Sequence, residues 1–169
     1  QPLEFTLPPP IRLAGRLLTP DHLPVAGAIV HARALGWPDP GGDLDVRAFN
    51  RSHQTVTRED GTFDLDADLG NYDVISKPPV DSDYCWLVLP TIAVSSRTTH
   101  VGGAPNLVLP APVPFRGTLR DANGNPAAGA EILAFGLITD RDGTPRTVPV
   151  GRAETDLDGI YELLITPEL

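Results

Sequence analysis

The chain of 169 residues contains one cysteine, one lysine and no methionine. Since Cys85 is alone, an intrachain disulfide is excluded, and its position between Tyr84 and Trp86 is typical of a small buried apolar side chain. The absence of methionine indicates a processed or excised piece of a longer protein. Lys77 is the sole lysine among 13 basic residues, and together with abundant alanine, proline and glycine this suggests a GC-rich bacterial genome.

Long apolar runs and clusters of positive charge are also missing. No apolar run approaches the length that spans a bilayer, and no stretch resembles a signal peptide, so we expect no membrane insertion of this segment. The 22 acidic and 13 basic residues give a formal net charge of -9. This charge would repel a phosphate backbone, and the sequence therefore predicts no nucleic-acid partner.

A tandem repeat is the most informative feature that is present. Residues 11–34 and 113–136 share glycine and proline positions at a constant offset of 102, and residues 57–65 and 155–163 share a Thr-x-x-Asp-Gly pattern at an offset of 98. The matched pairs include Gly15 and Gly117, Pro24 and Pro126, and Gly27 and Gly129. A constant offset predicts equivalent strand pairs in the two segments, with the last glycine pair at the same point.

The repeat predicts the domain organisation. Residues 1–10 are expected to hold an N-terminal strand and linker, residues 11–110 a first sandwich (the first repeat), and residues 111–169 a second, partial sandwich (the second repeat). Short apolar runs separated by turn residues, with Asp-Gly turns at equivalent places, favour an all-β chain of strands and almost no helix. Such a series argues for β-sandwiches.

The second repeat is expected to lack strands that the first repeat has. Mapping by the offset of 98 places Leu169 at Asn71, so the segment that begins at Tyr72 has no counterpart. Conversely, residues 3–8 match residues 105–110 at the offset of 102. An open sandwich exposes backbone groups that another strand can pair with. We therefore expect self-association through strand pairing, with residues 3–7 or a neighbouring copy as the donor.

These motifs resemble a known family. The order Gly-x-Leu, Pro-x-Ala-Gly-Ala, Thr-x-x-Asp-Gly-x-Phe/Tyr-x-Leu and, at residues 69–74, Leu-Gly-Asn-Tyr-Asp-Val is similar to the carboxypeptidase regulatory-like domain. That family resembles transthyretin and the B-type repeats of collagen adhesins, so the resemblance implies two tandem Greek-key sandwiches of the prealbumin-like type. It also implies a non-catalytic adhesion or spacer module of a larger bacterial protein outside the cytoplasm, whether secreted, periplasmic or on the cell surface.

One candidate site consists of carboxylates. Asp64, Asp66 and Asp68 alternate with apolar residues and should therefore point to one face of a strand. Three oxygens on one face, helped by Asp60 or Asp73, are a candidate calcium site. The favoured alternative is a solvated strand face whose charge opposes edge pairing, so no cofactor is predicted.

A second candidate site consists of aromatic rings beside acidic residues. An exposed ring flanked by carboxylates can stack on a sugar and bind its hydroxyls, which would make the chain a carbohydrate-binding module. The favoured alternative places the rings in the sandwich, with Trp86 and Tyr84 on the same face as Val88. The residues of this candidate are Trp37, Tyr84, Trp86, Asp81 and Asp83.

Catalytic constellations are not found in the sequence. The four histidines have no pair at metal-ligand spacing, and no nucleophile elbow is present. Intradiol dioxygenases share a related sandwich, but this chain lacks their Arg-x-x-His-x-His segment, which leaves a metal-dependent enzyme as a distant alternative. We expect no enzyme activity, and a protein or polysaccharide surface as the partner.

Overall fold

The computed structural model describes residues 9–35, 52–140 and 143–166. Their regular structure is β-strand, apart from one short 3-10 turn at Val101–Gly103, which confirms the all-β class. The described strands form four separate sheets. No helix within the described ranges has the length and apolar character needed to cross a membrane.

The described residues of the first repeat form two sheets. One has the strand order β4-β1-β7 and the other β3-β2-β5-β6, and every pairing is antiparallel except that of β1 with β7. These strands are β1 (Ile11–Leu18), β2 (Ile29–Ala34), β3 (Ser52–Val56), β4 (Thr62–Ala67), β5 (Gly70–Lys77), β6 (Leu87–Val94) and β7 (Asn106–Val108).

The described residues of the second repeat form two smaller sheets. Strand β11 pairs with β8, and β10 pairs with β9, both antiparallel. These strands are β8 (Val113–Thr118), β9 (Glu131–Thr139), β10 (Pro145–Glu154) and β11 (Ile160–Ile165). Counterparts of β5, β6 and β7 do not occur among the residues described for this repeat.

Alternating apolar residues build the core of the first repeat. Leu13 and Leu17 of β1 and Phe63 and Leu65 of β4 are all buried in one cluster, which confirms that β4 turns its apolar face inward. Each such side chain contributes roughly 1.5–3 kcal/mol relative to an exposed position. Alternation ends with β4 at Ala67, so Leu69, the apolar residue that follows Asp68, is 44% exposed.

The predicted equivalence of the two segments is confirmed by their strand register. Gly15 pairs with Phe63, and Gly117 pairs in the same way with Tyr161. Gly27 and Gly129 take positive φ values of 72° and 68°, which suit glycine because it has no Cβ. The sequence offset therefore corresponds to a shared three-dimensional arrangement.

A buried threonine holds the same turn in each repeat. The Thr57 hydroxyl donates to the Val25 carbonyl and accepts from the Ala28 amide at 2.9 Å. Thr155 makes the same two bonds with Ala127 and Ala130. The first residue of the Thr-x-x-Asp-Gly pattern therefore satisfies backbone groups that would otherwise be buried without partners.

Some apolar side chains that are buried in the first repeat have exposed counterparts in the second repeat. Phe115 occupies the position of Leu13 but is 57% exposed, whereas Leu13 is 1% exposed. Strand β9 of the β9–β10 hairpin is also longer than β2, its counterpart in the first repeat. Ile138, Asp140 and Arg146 contact the first repeat from this longer end of the hairpin, whereas Ala134, Val148 and Val150 contact it from positions closer to the base of the hairpin.

Candidate functional site at the contact between the repeats

The β9–β10 hairpin packs on the first repeat. An apolar cluster joins Ile75 of β5 and Val88 of β6 to Val148 and Val150 of β10, and all four side chains are buried. Partly buried side chains surround this cluster, namely Trp86, Ala134 and Ile138. Because Ile75 pairs with Val88 across the sheet, the contact covers one face of β5 and β6.

Arg146 is the centre of an ionic group beside this apolar cluster. Its Nη2 donates to Asp73 Oδ1 at 2.6 Å, and its Nη1 donates to Asp73 Oδ2. Its Nε lies 2.8 Å from both carboxylate oxygens of Asp140. The planar guanidinium therefore binds one carboxylate from each repeat, an arrangement that the point charge of lysine does not reproduce. We call Asp73, Thr91, Asp140 and Arg146 the ionic junction.

Because the Asp73 carboxylate is buried, it requires a charged partner. The Asp73 side chain is 1% exposed, and that of Arg146 is 20% exposed. A carboxylate at this depth costs several kcal/mol unless it is paired and hydrogen-bonded. Hydrogen bonds to Asp73 raise the pKa of Arg146 above its ordinary value, which keeps the guanidinium charged. The ionic junction carries two carboxylates and one cation.

A β-bulge places Thr91 in the ionic junction. The register between β5 and β6 shifts between Tyr72 and Val74, so Pro90 and Thr91 oppose Asp73 alone. Thr91 has φ of 53°, an uncommon value for a β-branched residue. In this conformation its amide donates to Asp73 and its hydroxyl donates to Asp140. The bulge thus turns a backbone and a side-chain donor towards the two carboxylates.

Acid is expected to weaken the ionic junction. Hydrogen bonds from Arg146 and then Thr91 lower the pKa of Asp140 below its ordinary value. A group with a lowered folded pKa contributes fully above its unfolded pKa, about 3.9, and loses that contribution as pH falls through the folded value. Urea denaturation from about pH 7 to about pH 2 should therefore show a shallower acid slope for Asp140→Asn than for the wild-type chain.

An unchanged slope in Asp140→Asn would contradict this expectation. Some acid dependence should remain in the variant, because the pKa of Asp60, Asp64 and Asp121 is also lowered by hydrogen bonds. Asp66→Asn is the matched control, since it removes an exposed carboxylate of β4 that lies away from the ionic junction.

The structure does not bring the expected carboxylates together as a cation site. Asp64 is paired with the guanidinium groups of Arg12 and Arg58, and Asp66 is exposed on β4. Asp68 follows the end of β4, where its amide donates to the hydroxyl of Tyr72. No group of three or more His, Cys, Asp or Glu side chains is placed to hold a metal ion within the described part of the chain.

The two helpers proposed for that site also have other roles. Asp60 accepts hydrogen bonds from the amide and hydroxyl of Thr62 in the Asp-Gly turn. Asp73 lies in β5, which belongs to the sheet that does not contain β4. Its partner, Arg146, comes from the second repeat.

The aromatic candidates are separated from one another. Trp86 packs on the apolar cluster between the repeats, and the Lys77 ammonium lies 4.5 Å from its ring centroid. Tyr84 packs instead on the core of the first repeat. The expectation that Tyr84 shares the face of Trp86 and Val88 was wrong, because β6 begins only at Leu87 and alternation does not extend back to residue 84.

The remaining residues singled out from the sequence are Trp37, Asp81, Asp83 and Cys85. Trp37 lies outside the described residues, whereas Asp81 and Asp83 are exposed in the turn before β6. Cys85 is 1% exposed, and burial raises the pKa of its thiol. This agrees with the prediction of a small buried side chain, since the reactive form of cysteine is the thiolate.

Arg146 and Asp140 were missed because they resemble turn residues. They flank the polar segment Arg141-Asp142-Gly143-Thr144-Pro145, which indicates an exposed loop. The only sequence signal for the contact is the apolar character of both faces of β9, at residues 132–138. Comparison of the chain with protein-family models, with curated proteins and with solved structures gave no match.

Proposed function

We propose that this chain is a non-catalytic structural or interaction module of a larger bacterial protein outside the cytoplasm. In this proposal its two repeats are of the carboxypeptidase regulatory-like type and serve as a spacer or adhesion segment. The repeated residues support it, because they are turn and packing residues: Gly27 and Gly129 take positive φ values, and Thr57 and Thr155 satisfy buried backbone groups.

The ionic junction is the observation that carries this proposal. The buried carboxylate of Asp73 and the guanidinium of Arg146 bind each other, and the Nε of Arg146 binds Asp140. A catalytic acid or base needs access to a substrate and a free position for the reacting proton. These groups instead bind across the contact between the repeats, as expected for a part that fixes their relative orientation.

Apolar packing and charge pairing together favour a stiff joint. Ile75 and Val88 are buried against Val148 and Val150 on one side of the contact. Arg146 and Asp73 add a directional, bidentate interaction beside them. Contacts between neighbouring domains otherwise permit relative motion by default. A spacer or adhesion segment benefits from a fixed angle, because it presents its surfaces at a defined distance.

Relaxation of backbone amides measured by NMR tests the stiff joint. We expect both repeats of the wild-type chain to tumble with one rotational correlation time. In Arg146→Met the two repeats should have different rotational correlation times, since this variant leaves Asp73 without its cation. Arg152→Met is the matched control, because Arg152 lies on the same strand but pairs with Glu131 of its own hairpin at 2.8 Å.

Independent tumbling of the repeats in the wild-type chain would refute the stiff joint. The alternative function, carbohydrate binding, has a separate readout. Retention on a polysaccharide that survives Arg146→Met but is lost in Trp86→Ala would favour a binding module over a spacer. Since Trp86 is partly buried and Lys77 lies over its ring, we expect no such retention.

A further inference from the structure

One edge of the second repeat is left open where the first repeat has a strand. In the first repeat, β7 pairs in parallel with the end of β1, and Leu17 pairs with Leu107. The corresponding edge of the second repeat is residues 118–120. No strand pairs with this edge among the residues that the structure describes. We call residues 118–120 the open edge.

The first repeat shows which backbone groups face this edge. The Arg16 amide donates to the Pro105 carbonyl at 2.9 Å, and the Leu109 amide donates to the Leu18 carbonyl at 2.8 Å. The intervening amide, that of Leu17, donates in the other direction, to Gly61. At the open edge, the equivalent groups are therefore the amide of residue 118 and the carbonyl of residue 120.

The register at the open edge is preserved by the neighbouring strand. The Leu119 amide donates to the Gly159 carbonyl at 2.8 Å, which matches the bond from Leu17 to Gly61 at 2.9 Å. Leu119 therefore points its amide inward to β11, and its neighbours point theirs outward. An edge with fixed, unpaired groups is a template for another strand.

The side chains also show what the open edge lacks. In the first repeat, Leu107 is 6% exposed and Leu109 is 1% exposed, and both belong to the core that contains Leu17. Leu17 is fully buried, whereas its counterpart Leu119 is 36% exposed. A strand with apolar residues at the positions of Leu107 and Leu109 would cover Leu119.

Residues 3–8 of the chain carry a second copy of that strand sequence. At the offset of 102, Phe5 falls on the position of Leu107 and Leu7 on that of Leu109, and Pro8 falls on that of Pro110. The polar residues Glu4 and Thr6 fall on Asn106 and Val108, which are exposed in β7. The apolar and polar positions alternate as a strand with one buried face requires.

We propose that residues 3–7 of one copy pair in parallel with the open edge of a second copy. Phe5 and Leu7 then enter the core of the second repeat, and the register places Glu4 opposite Thr118. This inference deepens the proposed role as an interaction module, on which it rests, because it names a second copy of this chain as the partner.

The position of β1 favours a second copy over the same chain. The second repeat contacts β5 and β6, whereas β1 lies in the other sheet of the first repeat. Packed sheets lie about 10 Å apart, and the linker of residues 8–10 spans at most roughly 10 Å. A linker of this length can cross the first repeat, but it cannot also reach the open edge of the second repeat. Donation between copies is head-to-tail, so the product is a ring or an open series of chains.

Sedimentation and light scattering on the full chain test the proposal. The mass of the wild-type chain should rise with concentration in whole multiples of 18.0 kDa. Phe5→Asp should remain at the mass of one chain, because a carboxylate would enter the apolar core. Thr6→Asp is the matched control, because it adds the same charge at the position that corresponds to Val108, which is exposed in β7. This variant should associate as the wild type does.

A peptide of residues 1–10 provides the second measurement. At about 100-fold excess over the chain, it should return the wild-type assembly to single chains by occupying the open edge. The same peptide with Phe5→Asp should be at least ~10-fold less effective. This measurement does not require any variant of the chain to fold.

Three results would overturn strand donation. These are a single-chain mass for the wild type at every concentration, association that survives Phe5→Asp, and an assembly that the unmodified peptide leaves intact. None of these results affects the proposed spacer role, which depends on the ionic junction and is tested by amide relaxation. Independent tumbling of the repeats, by contrast, would remove the spacer role and leave the association experiment valid.

Discussion

Arg146→Ala is expected to lower the free energy of unfolding by about 3–5 kcal/mol, because removing one partner of a buried ion pair leaves an uncompensated charge. The charge left behind is that of Asp73, whose side chain is 1% exposed. Thr91 supplies an amide donor to Asp73, but a neutral donor does not replace a guanidinium. Urea denaturation followed by tryptophan fluorescence measures the loss, and Trp86 packs beside the contact as a reporter.

The double variant Asp73→Leu with Arg146→Met separates lost charge pairing from lost packing. Apolar replacement of both partners of a buried ion pair is often neutral or stabilising, so we expect this variant to recover most of the loss seen in Arg146→Ala. Arg152→Ala is the control, because its pair with Glu131 is exposed and contributes at most about 1 kcal/mol. A loss below ~1 kcal/mol in Arg146→Ala would contradict the role assigned to the ionic junction.

The parts of the fold that could be predicted from the sequence depend on local chemistry. Asp60-Gly61 indicates a turn because glycine accepts a positive φ, and Gly61 has φ of 77°. Phe63 and Leu65 indicate a buried face because strand side chains alternate, and both are buried. The offset of 98 extends the same expectations to Asp158-Gly159, Tyr161 and Leu163 of the second repeat. There Gly159 has φ of 72° and Leu163 is buried, whereas Tyr161 is only partly buried.

The ionic junction could not be predicted because its contacts are long-range. Asp73 and Arg146 are 73 residues apart. Neither a single carboxylate within an apolar strand nor an arginine after a polar turn indicates a partner at that separation. Their meeting depends on the length of β9 and β10 and on the bulge opposite Asp73. Neither feature has a local sequence signature of its own, since Pro90 in a strand indicates only an irregularity.

The positions of the aromatic side chains were harder to predict for a related reason. Alternation assigns a face only within a continuous strand, and β6 begins at Leu87, after Trp86. Tyr84 and Trp86 therefore turn to different cores, although they are two residues apart. Faces assigned from sequence are reliable only where the strand boundaries are also known.

Glycine positions in the two repeats offer an internal comparison of packing. Gly15 lies against the ring of Phe63, and a Cβ built on Gly15 would stand 2.7 Å from its Cε1 atom. Gly117 lies against the ring of Tyr161, and a Cβ there would stand 2.6 Å from its Cζ atom. In both repeats, therefore, the absence of a Cβ on the glycine leaves room for the aromatic ring of its partner on the opposite strand.

Gly15→Ala is expected to lower the free energy of unfolding by about 2–3 kcal/mol, and Gly117→Ala by less than ~1 kcal/mol. Phe63 is 1% exposed and packed on all sides by the core of the first repeat. Its ring cannot move without displacing other buried side chains. Tyr161 is only partly buried, so its ring can swing towards solvent and make room for the new methyl group.

Equilibrium denaturation of both variants measures this difference directly. Each variant adds one methyl group at the same point of the same register, so strand propensity and backbone geometry are matched. The double variant Gly15→Ala with Phe63→Leu should cost less than the sum of its two single variants, because the smaller side chain vacates the space that the methyl group needs. Equal losses in Gly15→Ala and Gly117→Ala would mean that Tyr161 is held as firmly as Phe63. The second repeat would then already be closed over its apolar face in solution, and a strand other than those described would have to close it.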